Sequence, residues 1–152
     1  MNLRIDQIRI VFCFIILLWE GLLDRKEQKI FLPPVGVFFL AGIVLSFIQS
    51  RQDFIQSFFG TLIGSAVLIA AFLTRNKIGY GDGFVLVATG ALLGFRTNLM
   101  MFLIGLFLAS LKGIWILISG KGNKNASMPF IPFLIPGLTL TLALIMGEQG
   151  RI

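Results

Sequence analysis

Apolar and polar positions along this chain alternate on the scale of whole segments, not of single residues. Three stretches, 31–48, 54–74 and 128–147, run for 18 to 21 residues without a charge. A fourth, 98–120, is interrupted only by Lys112, which could snorkel or face the protein interior. About 20 apolar residues are needed for a helix to cross roughly 30 Å of hydrocarbon, so each of these reads as a membrane span. Two shorter segments complete the pattern. Residues 10–23 contain Glu20 and end at Asp24, and residues 83–95 follow directly on Asp82. An apolar run of 13 residues can be a re-entrant element, or a span whose polar end is sheltered by protein. No strand-like alternation occurs, which argues against a β-barrel. The pattern predicts an all-α polytopic membrane protein, a bundle of six transmembrane helices forming one domain over residues 1–152.

Composition supports this and narrows the chemistry. Hydrophobic residues make up 57% of the 152, charged residues 13%, and there are 16 phenylalanines. The mean hydropathy is +0.93. Histidine is absent and Cys13 is the single cysteine. Ser-His-Asp and Cys-His catalysis, zinc hydrolysis of the HExxH type and an intrachain disulfide are therefore excluded, and no cofactor or metal is expected. The net charge of +6 is assigned to membrane-flanking loops and anionic lipid, not to nucleic acid, because the basic residues form no stripe on a soluble element. A secretory signal peptide at the N-terminus is disfavoured, since the first apolar run ends in WEGLLDRK and not in a small-residue cleavage site.

With six spans, both termini share one face. Arg4, Arg9, Arg51, Arg96 and Arg151 fall on that face. Arg25, Lys26, Lys29, Arg75, Lys77, Lys121 and Lys124 fall on the other. The positive-inside rule makes the second face cytoplasmic and the termini external.

Seven acids remain to be weighed. Asp6, Asp53 and Glu148 read as solvated caps near span ends, and Glu27 as a partner for loop lysines. Glu20, Asp24 and Asp82 sit at or inside the boundary of an apolar segment, where a carboxylate costs several kcal/mol unless protonated, paired or wetted. Asp82 stands in IGYGDGF, flanked by Gly79, Gly81 and Gly83. Glycines permit close approach of another backbone, although a simple helix N-cap would use the same residues. Asp24 ends the first span on the same face. Two such acids a few ångströms apart cannot both ionise, so they share a proton. The ionised partner could then activate water while the protonated one polarises a carbonyl. Glu20, four residues before Asp24, lies on the same helical face and is expected to tune the protonation of Asp24 without being a third catalytic acid.

On these residues the sequence resembles the type IV prepilin peptidases, membrane-embedded GxGD aspartyl proteases. Gly79, Tyr80, Gly81 and Asp82 match the GxGD motif, and GYGDGFVLVATGALLGF resembles its continuation into an apolar helix. Asp24, Ile30 and Pro33 fit loosely the family's first aspartate and the proline-containing helix start after it. PFIPFLIPG, from Pro129 to Gly137, resembles its last span. Phe84 stands where many members have lysine, and the family's Ile-Pro pair is separated here. The resemblance implies a short form without the N-terminal zinc-binding part, and so no methyltransferase activity. It also implies the catalytic pair Asp24 and Asp82, prepilin or pseudopilin substrates, and removal of their basic leader on the cytoplasmic side of the cell membrane. Gly60-x-x-x-Gly64 and Gly90-x-x-x-Gly94 would allow close helix packing. The four-span lipoprotein signal peptidases and the presenilin-like proteases lack support, since their Asn-containing and Pro-Ala-Leu motifs are missing. The alternative is a non-enzymatic accessory subunit or a small transporter with ion-binding acids.

Overall fold

The computed structural model describes residues 3–27, 32–74, 79–119 and 129–149. The described residues form five helices: α1 (Leu3–Glu27), α2 (Leu32–Gln49), α3 (Arg51–Leu73), α4 (Tyr80–Ile118) and α5 (Ile131–Gln149). Among them, α2, α3 and α4 are each long and apolar enough to cross a membrane, and α5 adds a shorter apolar stretch, Ile131–Gly147. The fold is an all-helical, membrane-type bundle.

The six expected spans become five helices because the fourth and fifth belong to one element. Within α4 the only non-helical backbone is at Gly94, with φ 76° and ψ 176°. That conformation is open to glycine and costly for residues with a Cβ. The break is sharp enough to fold the helix back on itself. Asn98 Nδ2 donates to the carbonyl of Leu86 at 3.1 Å, whereas twelve residues of straight helix would separate the two by about 18 Å. Hence α4 has two limbs, 80–93 and 95–118. Gly94, expected to be a packing glycine, is instead the corner.

A second reversal occurs at Ser50, the single residue between α2 and α3. Its backbone is extended, and its hydroxyl accepts from the N–H of Asp53 at 3.0 Å. Ser50 Oγ also donates to Asp53 Oδ2 at 2.6 Å, so Ser50 is the cap and Asp53, expected to be one, is its partner in the first helical turn. The turn brings Ser46 and Ser57 hydroxyls to 2.6 Å, which makes α2 and α3 antiparallel neighbours.

The limb 80–93 is the centre of the bundle. On one side it meets α3 backbone to backbone: a Cβ on Gly60 would lie 2.3 Å from the carbonyl of Gly90, and one on Gly64 would lie 2.3 Å from the Val87 nitrogen. On another side α2 approaches at Gly42, where a Cβ would be 2.8 Å from the Ala91 carbonyl carbon. Its apolar residues Val85, Leu86, Ala88 and Leu92 join Ile16 and Leu17 of α1 and Leu134 and Leu138 of α5 in the core. Against the second limb, α5 packs at Gly137, where a Cβ would meet the carbonyl of Met101 at 2.7 Å. Pro136 lies within α5 and removes one helical N–H.

Candidate active site

The helix limb that carries Asp82 starts at an abrupt N-terminus. Gly79 is the N-cap, with extended backbone and no side-chain cap, so Asp82 occupies the third helical position. A carboxylate there faces the positive end of the helix dipole. It also leans back over the cap: a Cβ placed on Gly79 would lie 3.3 Å from Asp82 Oδ2. The glycine at 79 therefore keeps open the space beside the carboxylate. Asp82 itself is half-buried, and Gly83 behind it is buried against Leu68 of α3.

Glu20 is fully buried in α1. Its neighbour Gly21 packs on Ile131, Pro132 and Ile135 of α5, which explains how this helix turn comes so close to another. The depth of these groups follows from one contact. Arg9 of α1 bonds to the carbonyl of Leu92, and α1 runs antiparallel to the limb 80–93. Glu20 lies eleven residues beyond Arg9 and Asp82 ten residues before Leu92, about 16 and 15 Å along their axes. Glu20 and Asp82 thus share a depth. The backbone of Asp24 continues α1 about one helical turn farther, at the same end of the bundle. The side chain of Asp24 lies outside the described residues, as do Ile30 and the basic positions Lys29, Arg75, Lys77, Lys121, Lys124 and Arg151.

The opposite end holds polar residues whose role the sequence did not disclose. Arg9, counted above as a flanking charge, is only 7% exposed. Its Nε donates to Leu92 O at 2.6 Å, Nη2 donates to Ser46 Oγ at 2.9 Å and Ser57 Oγ at 2.8 Å, and Nη1 donates to Gln49 Oε1 at 3.2 Å. Gln49 Nε2 in turn donates to Asp6 at 2.8 Å. One guanidinium therefore ties together α1, α2, α3 and α4. Asn98 forms a second buried cluster, donating to Gly60 O and Leu86 O and accepting from the Thr89 hydroxyl at 2.9 Å. Serine, threonine and asparagine inside apolar helices were the available signal, but their partners lie up to 48 residues away in sequence. Lys112 is exposed on the bundle surface, with Nζ 5.3 Å from the Phe133 ring centre.

An α-helical membrane bundle with a carboxylate at a glycine-flanked helix start is the class that fold and site define. Residues 11–118 match the type IV leader peptidase family, and the chain belongs to that family. The matched region includes both Asp24 and Asp82. No curated protein and no solved structure matches the chain. Family and fold together make it a leader-peptidase-like protease and a multi-pass membrane protein.

Proposed function

We propose that this protein is a GxGD-type aspartyl endopeptidase that uses Asp24 and Asp82 to remove the short basic leader from type IV prepilin-like or pseudopilin precursors. Cleavage takes place on the cytoplasmic side of the cell membrane, and the termini face outward. The observation that carries this reading is the placement of Asp82 on a glycine-capped helix start, at the end of the bundle where α1 delivers Asp24.

The chemistry needs no third group. With one proton between the two carboxyls, the ionised one accepts a proton from water as the water oxygen bonds to the scissile carbonyl carbon. The protonated one donates to the carbonyl oxygen. Collapse of the tetrahedral intermediate breaks the C–N bond, and a carboxyl proton passes to the departing amine. Asp82, at the start of its helix limb, is assigned the water-activating role. Glu20, buried at the same depth, tunes this proton balance.

The test is cleavage of a basic-leader prepilin peptide by purified protein. Asp24→Asn and Asp82→Asn should each abolish cleavage, with the double variant no worse than either single one, because the two acids act as a unit. If neither substitution slows cleavage the aspartyl mechanism fails. If the wild-type protein cleaves no such peptide, the accessory or ion-binding role takes its place.

A further inference from the structure

The break at Gly94 strips the limb 80–93 of the helical partners for its last carbonyls, since a carbonyl at position i needs the N–H at i+4. One of these carbonyls has found a side-chain donor on another helix. Leu92 O accepts from Arg9 Nε at 2.6 Å, while Ser46 Oγ, which donates to Gly42 O at 2.7 Å, lies 3.4 Å from Ala91 O. Arg9 is thus a C-terminal cap supplied from a different helix. It puts a positive charge at the negative end of the limb whose positive end carries Asp82. Three further donors of the guanidinium are held by Ser46, Ser57 and Gln49, so its position is fixed by α2 and α3.

At the seam between this limb and α3, Arg9 adds a second anchor to the one Asn98 supplies. Around Gly60 and Gly90 the two helices touch through backbone, and the side chain beside that contact is Asn98, whose Nδ2 donates to Gly60 O and Leu86 O. A smooth contact of this kind resists separation more than it resists sliding. Directional hydrogen bonds have to set the height of the limb, and a rigid helix carries that height to its other end, about 15 Å away.

We propose, building on the aspartyl reading above, that Arg9 is a positioning residue for Asp82: by capping the carbonyl end of the limb 80–93 it sets the height and rotation of the carboxylate at the opposite end. Arg9 never meets substrate. Its loss acts on turnover by moving Asp82 relative to its partner acid, and a displacement of about 1 Å at a reacting group is enough for about a hundredfold.

The experiment combines kinetics with a distance. Arg9→Lys keeps the charge but cannot reach all four acceptors, and it should lower kcat about tenfold with KM unchanged. Arg9→Gln should lower kcat about a hundredfold. Spin labels on Phe47→Cys in α2 and Phe84→Cys in the limb report the height directly, while the buried Cys13 stays unlabelled. Their separation should change by about 1.5 Å or more in the Arg9→Gln background, the rise of one residue. An unchanged separation together with an unchanged kcat overturns the proposal. So does a loss confined to KM. Should Arg9→Gln fail to fold, Ser57→Ala removes one acceptor of the guanidinium and should shift the separation in the same sense with a smaller fall in kcat; no shift there also overturns it. Asp82→Asn is assayed beside them. If that variant cleaves at the wild-type rate, the aspartyl reading falls, while the label separation still decides whether Arg9 sets the height of the limb.

Discussion

The two limbs of α4 are continuous in sequence and similarly apolar, yet they occupy opposite environments. In the first, Gly83, Val85, Leu86, Ala88, Thr89, Gly90, Ala91 and Leu92 are all buried; in the second only Asn98, Met101 and Gly105 are. Beyond Leu111 the helix presents Ile114, Trp115, Leu117 and Ile118 outward, with Ile118 79% exposed. Side-chain size separates them better than hydropathy does. Glycine, alanine and threonine let α2 and α3 close onto the first limb, whereas the bulky surface of the second is suited to lipid, which solvates Leu or Trp as well as a protein core would. The limb in the middle is the one that carries Asp82 in its first turn, so the proposed chemistry is mounted on the most closely packed limb of the helix.

The sharpest way to break this comparison is one substitution made in both limbs. Gly90→Ala would place a Cβ 2.2 Å from the carbonyl oxygen of Gly60. Because backbone cannot yield as a side-chain tip does, the loss should reach about 3 kcal/mol or more, read as a lowered melting temperature in detergent. Asn98→Ala, at the residue that joins the limbs, should cost about 1–3 kcal/mol by removing its hydrogen bonds to the Thr89 hydroxyl and the Gly60 and Leu86 carbonyls. Gly94→Ala tests the corner itself. Its added Cβ has room, 3.4 Å from the nearest atom, but φ of 76° remains unfavourable, so a cost of about 1–2 kcal/mol is expected. Gly113→Ala, in the second limb, meets nothing within 4 Å. It should leave stability unchanged or raise it by up to about 1 kcal/mol through helix propensity. Equal effects of Gly90→Ala and Gly113→Ala would mean that the limbs are not distinguished by packing. Activity offers a finer probe. Gly79→Ala presses on Asp82 Oδ2 without touching the seam, so it should slow cleavage while leaving the stability within about 0.5 kcal/mol of the parent.

Much of the fold was legible in the order of residues, for a reason that lies in the solvent. Backbone groups in hydrocarbon must be satisfied within their own segment, so long uncharged runs become helices whatever their neighbours are. That argument placed α2, α3 and α5 and both limbs of α4 close to where they occur. The glycines around Asp82 likewise marked a helix start, and Gly60 and Gly64 proved to be close-packing positions as expected. The same reasoning could not tell that Gly94 turns the chain, since Gly90-x-x-x-Gly94 reads equally as a packing pair. Nor could it find Arg9, which near a span end looks like an ordinary flanking charge.

The residue order alone therefore determined the solvent, the secondary structure and which acids stand at segment boundaries, because each depends on local composition and a 1.5 Å rise per residue. Tertiary structure decided which limb is central, that Arg9 is buried rather than exposed, and that Glu20 lies at the depth of Asp82. Those outcomes depend on hydrogen bonds and close contacts between residues 23 to 83 positions apart, from Gly64 against Val87 to Arg9 on Leu92, and no local pattern encodes a partner at that distance.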